Sequence, residues 1–140
     1  MNKGEIAQAK FHEGYNCSQA VALAFTEELG LTEDQVKKLS SGFGGGIGRQ
    51  RLTCGAVLGM TMVLGNVHYK GDKLEVYKVI TDACEEVKKE LGSISCAELL
   101  EGVEVTKGVA PEERTKEYYQ KRPCAEICKV VAGITAKYLK

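Results

Sequence analysis

The chain has 140 residues, 44% of them hydrophobic and 27% charged, which is enough for one globular domain to bury a core without staples. Nineteen basic residues balance nineteen acidic ones, so there is no electrostatic case for binding nucleic acid or an anionic membrane, and the partners left are a protein, a metal or a small molecule. The opening Met1-Asn2-Lys3-Gly4-Glu5 shows neither the apolar stretch nor the small-residue cleavage site of a secretory signal, which predicts a cytoplasmic location and argues against structural disulfides for the six cysteines.

In chain order the pattern is helical throughout, and the expected fold class is all-α: a single compact domain, 1–140, of five to seven helices around a central apolar helix at about 53–68. Ile6, Ala9 and Phe11 mark a short first helix ended by Gly14. Asn16 caps a second, with Cys17, Ala20, Val21, Ala24 and Phe25 at helical spacing, and Gly30 closes it. Thr32 and Gln35 form a capping-box pattern for a third helix with Val36 and Leu39 inward. The glycine-rich run Gly42-Phe43-Gly44-Gly45-Gly46-Ile47-Gly48 then requires a tight loop.

Thr53 is the expected cap of the next helix, whose residues from Cys54 to Leu64 are apolar nearly all round. The uncharged stretch Leu52 to Val67 falls short of the roughly 20 residues that cross a bilayer, and reads as a core helix rather than a membrane span. Gly55 and Gly59 in it allow another backbone to approach closely and leave room for a homodimer. Val76, Ile80, Ala83, Cys84, Val87 and Leu91 trace the stripe of a long amphipathic helix ended by Gly92. Ser95-Cys96-Ala97-Glu98 is a capping box opening a short helix, 102–111 reads as a surface loop, and Pro111 is expected to start a charged helical stretch to Lys121. Pro123 opens a last helix with Ile127, Val131, Ile134 and Tyr138 on its buried stripe.

Four of the six cysteines, Cys17, Cys54, Cys96 and Cys124, fall in the first turn of an expected helix, each behind a cap or start residue: Asn16, Thr53, Ser95 and Pro123. A helix N-terminus carries about half a positive charge, which biases a thiol toward thiolate, the form that attacks disulfides or binds metal. Their spacings of 37, 42 and 28 residues exclude the local C-x2-C knuckles of zinc ribbons and the clustered runs of bacterial ferredoxins, so each thiol comes from a different element. If the four helix starts converge, they supply the ligand number of a tetra-cysteine [2Fe–2S] site. Cys84, mid-helix on an apolar stripe, reads as a small hydrophobe. Cys128, one turn beyond Cys124, admits two readings: a fifth thiol of the site or a core residue.

These motifs carry a resemblance. The runs Phe11-His12-Glu13-Gly14-Tyr15-Asn16-Cys17-Ser18-Gln19-Ala20-Val21, Ser41 to Gly48 leading into Cys54-Gly55-Ala56-Val57-Leu58-Gly59, and Leu91-Gly92-Ser93-Ile94-Ser95-Cys96-Ala97-Glu98-Leu99-Leu100, with Cys124 following, resemble the C-GCAxxG-C-C family of redox-active proteins over nearly the whole chain. The resemblance implies a general redox activity and makes Cys17, Cys54, Cys96 and Cys124 the signature cysteines, leaving Cys84 and Cys128 outside. A similar domain in split-Soret cytochromes is associated with an iron–sulfur centre, which favours a cluster over a bare dithiol. The haem-attachment motif C-x-x-C-H is absent here, so covalent haem does not carry over.

Other groups point less sharply. The glycine run lacks the third glycine and the preceding strand of a dinucleotide fingerprint; its glycines either bring backbone N–H groups toward the cysteine sulfurs or merely connect two helices tightly. His12 and His68 read as carbonyl caps or solvent-facing groups rather than ligands. Arg49 and Arg51 can lower a thiolate's pKa or pair with a partner. Tyr15, Tyr118 and Tyr119 read as packing, and Glu112 to Lys121 as a solvated helix face. Three functions follow: an iron–sulfur electron-transfer or redox-sensing protein with a redox partner protein, a thiol–disulfide oxidoreductase without a C-x-x-C pair, and a structural zinc module that binds a partner.

Overall fold

The computed structural model describes residues 1–140. The protein is all-α: α1 (Lys3–His12), α2 (Cys17–Ala24), α3 (Thr26–Leu29), α4 (Glu33–Ser40), α5 (Gly55–His68), α6 (Lys73–Leu91), α7 (Cys96–Leu99), α8 (Lys116–Lys121) and α9 (Cys124–Lys137), with a 3-10 turn at Ser41–Phe43. That is nine helices where five to seven were expected, and the excess lies in the short pieces. No helix is long and apolar enough to cross a membrane.

Capping chemistry places several helix starts. Asn2 with Glu5, Asn16 with Gln19, and Thr32 with Gln35 each make a reciprocal capping box. The expected run from Asn16 to Gly30 breaks at Phe25, whose side chain turns fully into the core. The carbonyl of Ala24 accepts from Lys3 Nζ at 2.9 Å, and Thr26 Oγ1 turns back to the Leu23 carbonyl. With those carbonyls satisfied, the chain can restart as α3.

Helix α1 packs along α9 and α2, α2 lies against α5 and α4, and α6 covers α5 and α9. One contiguous core runs through α1, α2, α5, α6 and α9, and its middle is shared by α2, α5 and α9. On α5, Val57, Met60, Val63 and Leu64 are buried, each worth about 1.5–3 kcal/mol relative to exposure, while Leu58, Thr61, Met62 and Val67 are half-exposed. The core face of α1 is Ala7 and the expected Phe11, with Ile6 half-buried against the same core, and Leu39 of α4 faces solvent at 58% exposure rather than inward.

Gly55 and Gly59 are spent inside the chain. A Cβ on Gly55 would stand 2.9 Å from the Phe43 carbonyl oxygen, and one on Gly59 would stand 2.9 Å from that of Ser18. The glycine face that left room for a second copy is thus filled by α2 and the turn before α5.

Between α4 and α5 the chain winds left-handed. Gly45, Gly46, Ile47, Gly48 and Arg49 all have φ between 56° and 70°, and Arg51 follows at 62°. The turn is tied by Gly48 N to Gly42 O at 2.9 Å, Arg49 N to Gly44 O at 3.0 Å and Leu52 N to Gly46 O at 3.1 Å. For a β-branched residue such as Ile47 that conformation costs about 1–2 kcal/mol, which the bonds of the turn offset.

Two expected starts move. Thr53 does not cap α5; it forms an isolated antiparallel bridge with Ser95, and Cys54 occupies the cap position. Pro111 does not open a helix; residues 111–115 stay extended, and α8 begins at Lys116 with Thr115 Oγ1 accepting from Tyr118 N at 3.1 Å. The extended segment is held by contacts to α1 described below, which a helix there would forfeit.

Candidate functional site

The starts of α2, α5, α7 and α9 meet at one cavity of about 470 Å³, and Cys17, Cys54, Cys96 and Cys124 all line it. Cys17, Cys96 and Cys124 each stand at the first helical position, behind Asn16, Ser95 and Pro123. Cys54, as the cap residue of α5, stands one position earlier than its sequence signals suggested.

Backbone bonds tie together the segments that carry two of the four thiols. Cys54 and Cys96 are joined through the Thr53–Ser95 bridge: Cys54 N donates to Ile94 O at 2.7 Å and Cys96 N to Leu52 O at 2.6 Å. Cys17 has Cys124 on one side and Cys128, whose Sγ is 3.9 Å from the Cys17 carbonyl, on the other. No three Cys, His, Asp or Glu side chains stand together at the spacing of a single-ion site.

Burial overrides the helix starts in setting the thiols. Desolvation pushes Cys54 up to about 11, although the N–H groups of Val57 and Ala56 work the other way without closing a full cap bond. Cys124 is raised by its contact with Cys17 and then by burial, against the pull of Arg122. For Cys17 the contact with Cys124 lowers the value, but the Cys128 thiol, burial and the neighbouring sulfurs outweigh it and the net shift is upward. The thiolate bias expected from the helix dipole is thus reversed for these three. The dipole offers a fraction of a charge, whereas burial and the crowding of like sulfurs penalise these three thiolates.

Four arginines and a single carboxylate, Glu112, also line the cavity. Arg49 donates to the carbonyls of Gly108 at 2.9 Å, Thr106 at 3.0 Å and Ala110, and stands 3.6 Å from Glu112. Arg114 donates to Phe11 O at 2.9 Å and Tyr15 O at 3.0 Å, with its guanidinium 4.1 Å from the centre of the Phe11 ring. Arg122, only 9% exposed, is ion-paired with Glu112 but lacks a well-directed hydrogen bond at Nη2. These contacts pin residues 106–114 as a strap beside the thiols. Arg51 Nη1 instead points at Cys96 Sγ, 3.8 Å away.

Arg114, Arg122 and Glu112 were missed by sequence reasoning, because the run from Glu112 to Lys121 reads as a solvated face. Only part of it is: Glu117 and Lys121 pair in solvent, while Glu112, Arg114 and Tyr118 face the cavity. The available signal was the position of Arg122, two residues before Cys124 and adjoining the Pro123 start. Tyr118, raised to about 12 by burial and then by the Cys124 sulfur, packs between Phe11 and two arginines.

The remaining cysteines stay out of the cavity lining. Cys84 lies half-buried on the stripe of α6. Cys128 is fully buried in the core behind Cys17, its Sγ 3.9 Å from the Cys17 carbonyl. Of the two histidines, His68 Nε2 meets the Tyr138 carbonyl at 2.5 Å near the end of α9, and His12 is exposed.

A family model described as "Putative redox-active protein (C_GCAxxG_C_C)" matches residues 15–138. The chain belongs to this C-GCAxxG-C-C family. The family is named as redox-active, and all four cavity cysteines lie inside the matched span. The run Cys54-Gly55-Ala56-Val57-Leu58-Gly59 lies inside the matched span. In it Cys54 takes the cap and Gly55 the close approach to Phe43. No curated protein and no solved structure matches the chain.

Proposed function

We propose that this redox-active family member holds an iron–sulfur cluster, [2Fe–2S], on Cys17, Cys54, Cys96 and Cys124, and serves in electron transfer or redox sensing with a partner redox protein. The observation that carries the reading is the convergence of four thiols from four separate elements on one cavity. Four thiols from separate elements match the ligand number of a [2Fe–2S] centre, and their wide spacing lacks the local C-x2-C knuckle of a structural zinc site. Four arginines against one carboxylate supply the positive surroundings that an anionic centre needs.

The cluster, when bound, takes up and returns one electron. The chain's part is to keep water away and to balance charge. Phe11, Leu100 and Ile127 wall the cavity, and the strap pinned by Arg49 covers it. Buried thiols with raised values remain protonated until a cation displaces the proton, so loading should release protons. The same upward shifts make Cys17, Cys54 and Cys124 poor candidates for the ionised nucleophile that a thiol–disulfide oxidoreductase needs near neutral pH.

Protein prepared without oxygen should be coloured and contain iron and acid-labile sulfide in equal amounts. Cys96→Ser and Cys124→Ser should lose both, whereas Cys84→Ser should keep them. A colourless, iron-free protein that also resists reconstitution overturns the proposal, and zinc found in place of iron would support the structural module instead.

A further inference from the structure

We infer that Arg51 sets the reduction potential of the cysteine site by donating a hydrogen bond and a positive charge to the Cys96 sulfur, an assignment that rests on the iron–sulfur reading above. Of the four arginines at the cavity, Arg49, Arg114 and Arg122 are spent on carbonyls of the strap and of α1 or on Glu112. Arg51 has no carbonyl or carboxylate partner; its one side-chain hydrogen bond is Nη1 to Cys96 Sγ at 3.8 Å, in a half-buried position.

The backbone fixes that contact. Arg51 sits at φ 62°, tied by its own N–H to the Gly45 carbonyl at 3.0 Å. Its neighbour Leu52 accepts the Cys96 N–H at 2.6 Å, so the chain segments carrying the guanidinium and the sulfur are joined one residue away. Gly46 completes the arrangement, since a Cβ there would stand 2.8 Å from Cys96 Cβ. The left-handed turn, strained at Ile47, thereby aims one particular arginine at one particular cysteine.

When a partner's one-electron donor is oxidised and the site reduced, one negative charge is added, and no bond or proton need move. A donor N–H and a full positive charge beside a ligand sulfur stabilise the reduced state more than the oxidised one. Cys124 has Arg122 near it, but Glu112 offsets that charge. Arg51 is the arginine whose guanidinium donates directly to a cysteine sulfur.

The test is an anaerobic redox titration of the iron-loaded protein, followed by its visible absorbance. Arg51→Gln should make reduction at least tenfold less favourable, about 59 mV lower for a one-electron couple, with iron and sulfide content unchanged. Arg51→Gly, at ease at that φ, should show the same fall and is decisive if the glutamine variant does not fold. Arg51→Lys should recover part of it, while Lys78→Gln, a charge change on the exposed face of α6, should leave the potential alone. An unchanged potential in iron-loaded Arg51→Gln or Arg51→Gly overturns the assignment and leaves the cluster reading standing. So does loss of iron from a folded Arg51→Gly, which would make Arg51 a binding residue. Absence of iron from the unaltered protein instead removes the reading on which the assignment rests.

Discussion

Cys54 is held between two opposed influences, the N–H groups at the start of α5 and the apolar wall around it, and the wall prevails. Its thiol is raised from 9.0 to about 11, so between those values the metal-free native state keeps a proton that the unfolded chain gives up. The sign follows: this stabilisation is complete below about pH 9 and fades as pH rises through 11, a loss of about 3 kcal/mol from this group. Urea unfolding of metal-free protein at pH 8 and pH 11 should show that fall, and Cys54→Ala should flatten it. A parallel consequence is slow alkylation of Cys17, Cys54 and Cys124 in the native protein near pH 8. The presence of the four cysteines and their placement near helix starts were legible in the sequence, because Asn16, Ser95 and Pro123 are local signals. The reversal of this bias for Cys17, Cys54 and Cys124 was not, since it depends on neighbours up to 111 residues away, as Cys17 and Cys128 are.

Among the elements, α5 is read most directly from its chemistry. Gly59 lets α2 come so near that a Cβ would stand 2.9 Å from the Ser18 carbonyl oxygen, a backbone atom that cannot swing aside. Gly59→Ala should therefore cost about 1–3 kcal/mol, read as a lower urea midpoint at unchanged slope. The same change at Gly65, which has nothing within 4 Å, should be neutral or stabilising. The stripes of α6 and α9 were equally plain in the sequence, where buried Ala83 and Val87, and Ile127, Val131 and Ile134, recur at helical spacing. What periodicity could not supply was the break at Phe25 or the extended course of residues 111–115. Each is decided by a long-range contact, Lys3 to Ala24 in the first case and Arg114 to Phe11 and Tyr15 in the second.

At the scale of the whole molecule, the strap from 106 to 114 is the part with the least regular structure over the site. It depends on side chains rather than on a helix of its own. Val109 at its tip is 88% exposed, and Arg49 is its principal anchor. Arg49→Ala should free it, and trypsin should then cut after Lys107 several-fold faster in the otherwise folded protein. An unchanged cleavage rate would mean that Arg114 and Arg122 hold the strap without it.

The cavity draws its thiols from positions 17, 54, 96 and 124, so its parts are spread over most of the chain's length. During synthesis the first three leave the ribosome long before the fourth, together with a strap that has nothing to close over until α9 docks on α1. On the iron–sulfur reading proposed above, loading would wait until Cys124 and the helix behind it are in place, and a chain interrupted ahead of Pro123 would carry only three of the four ligands.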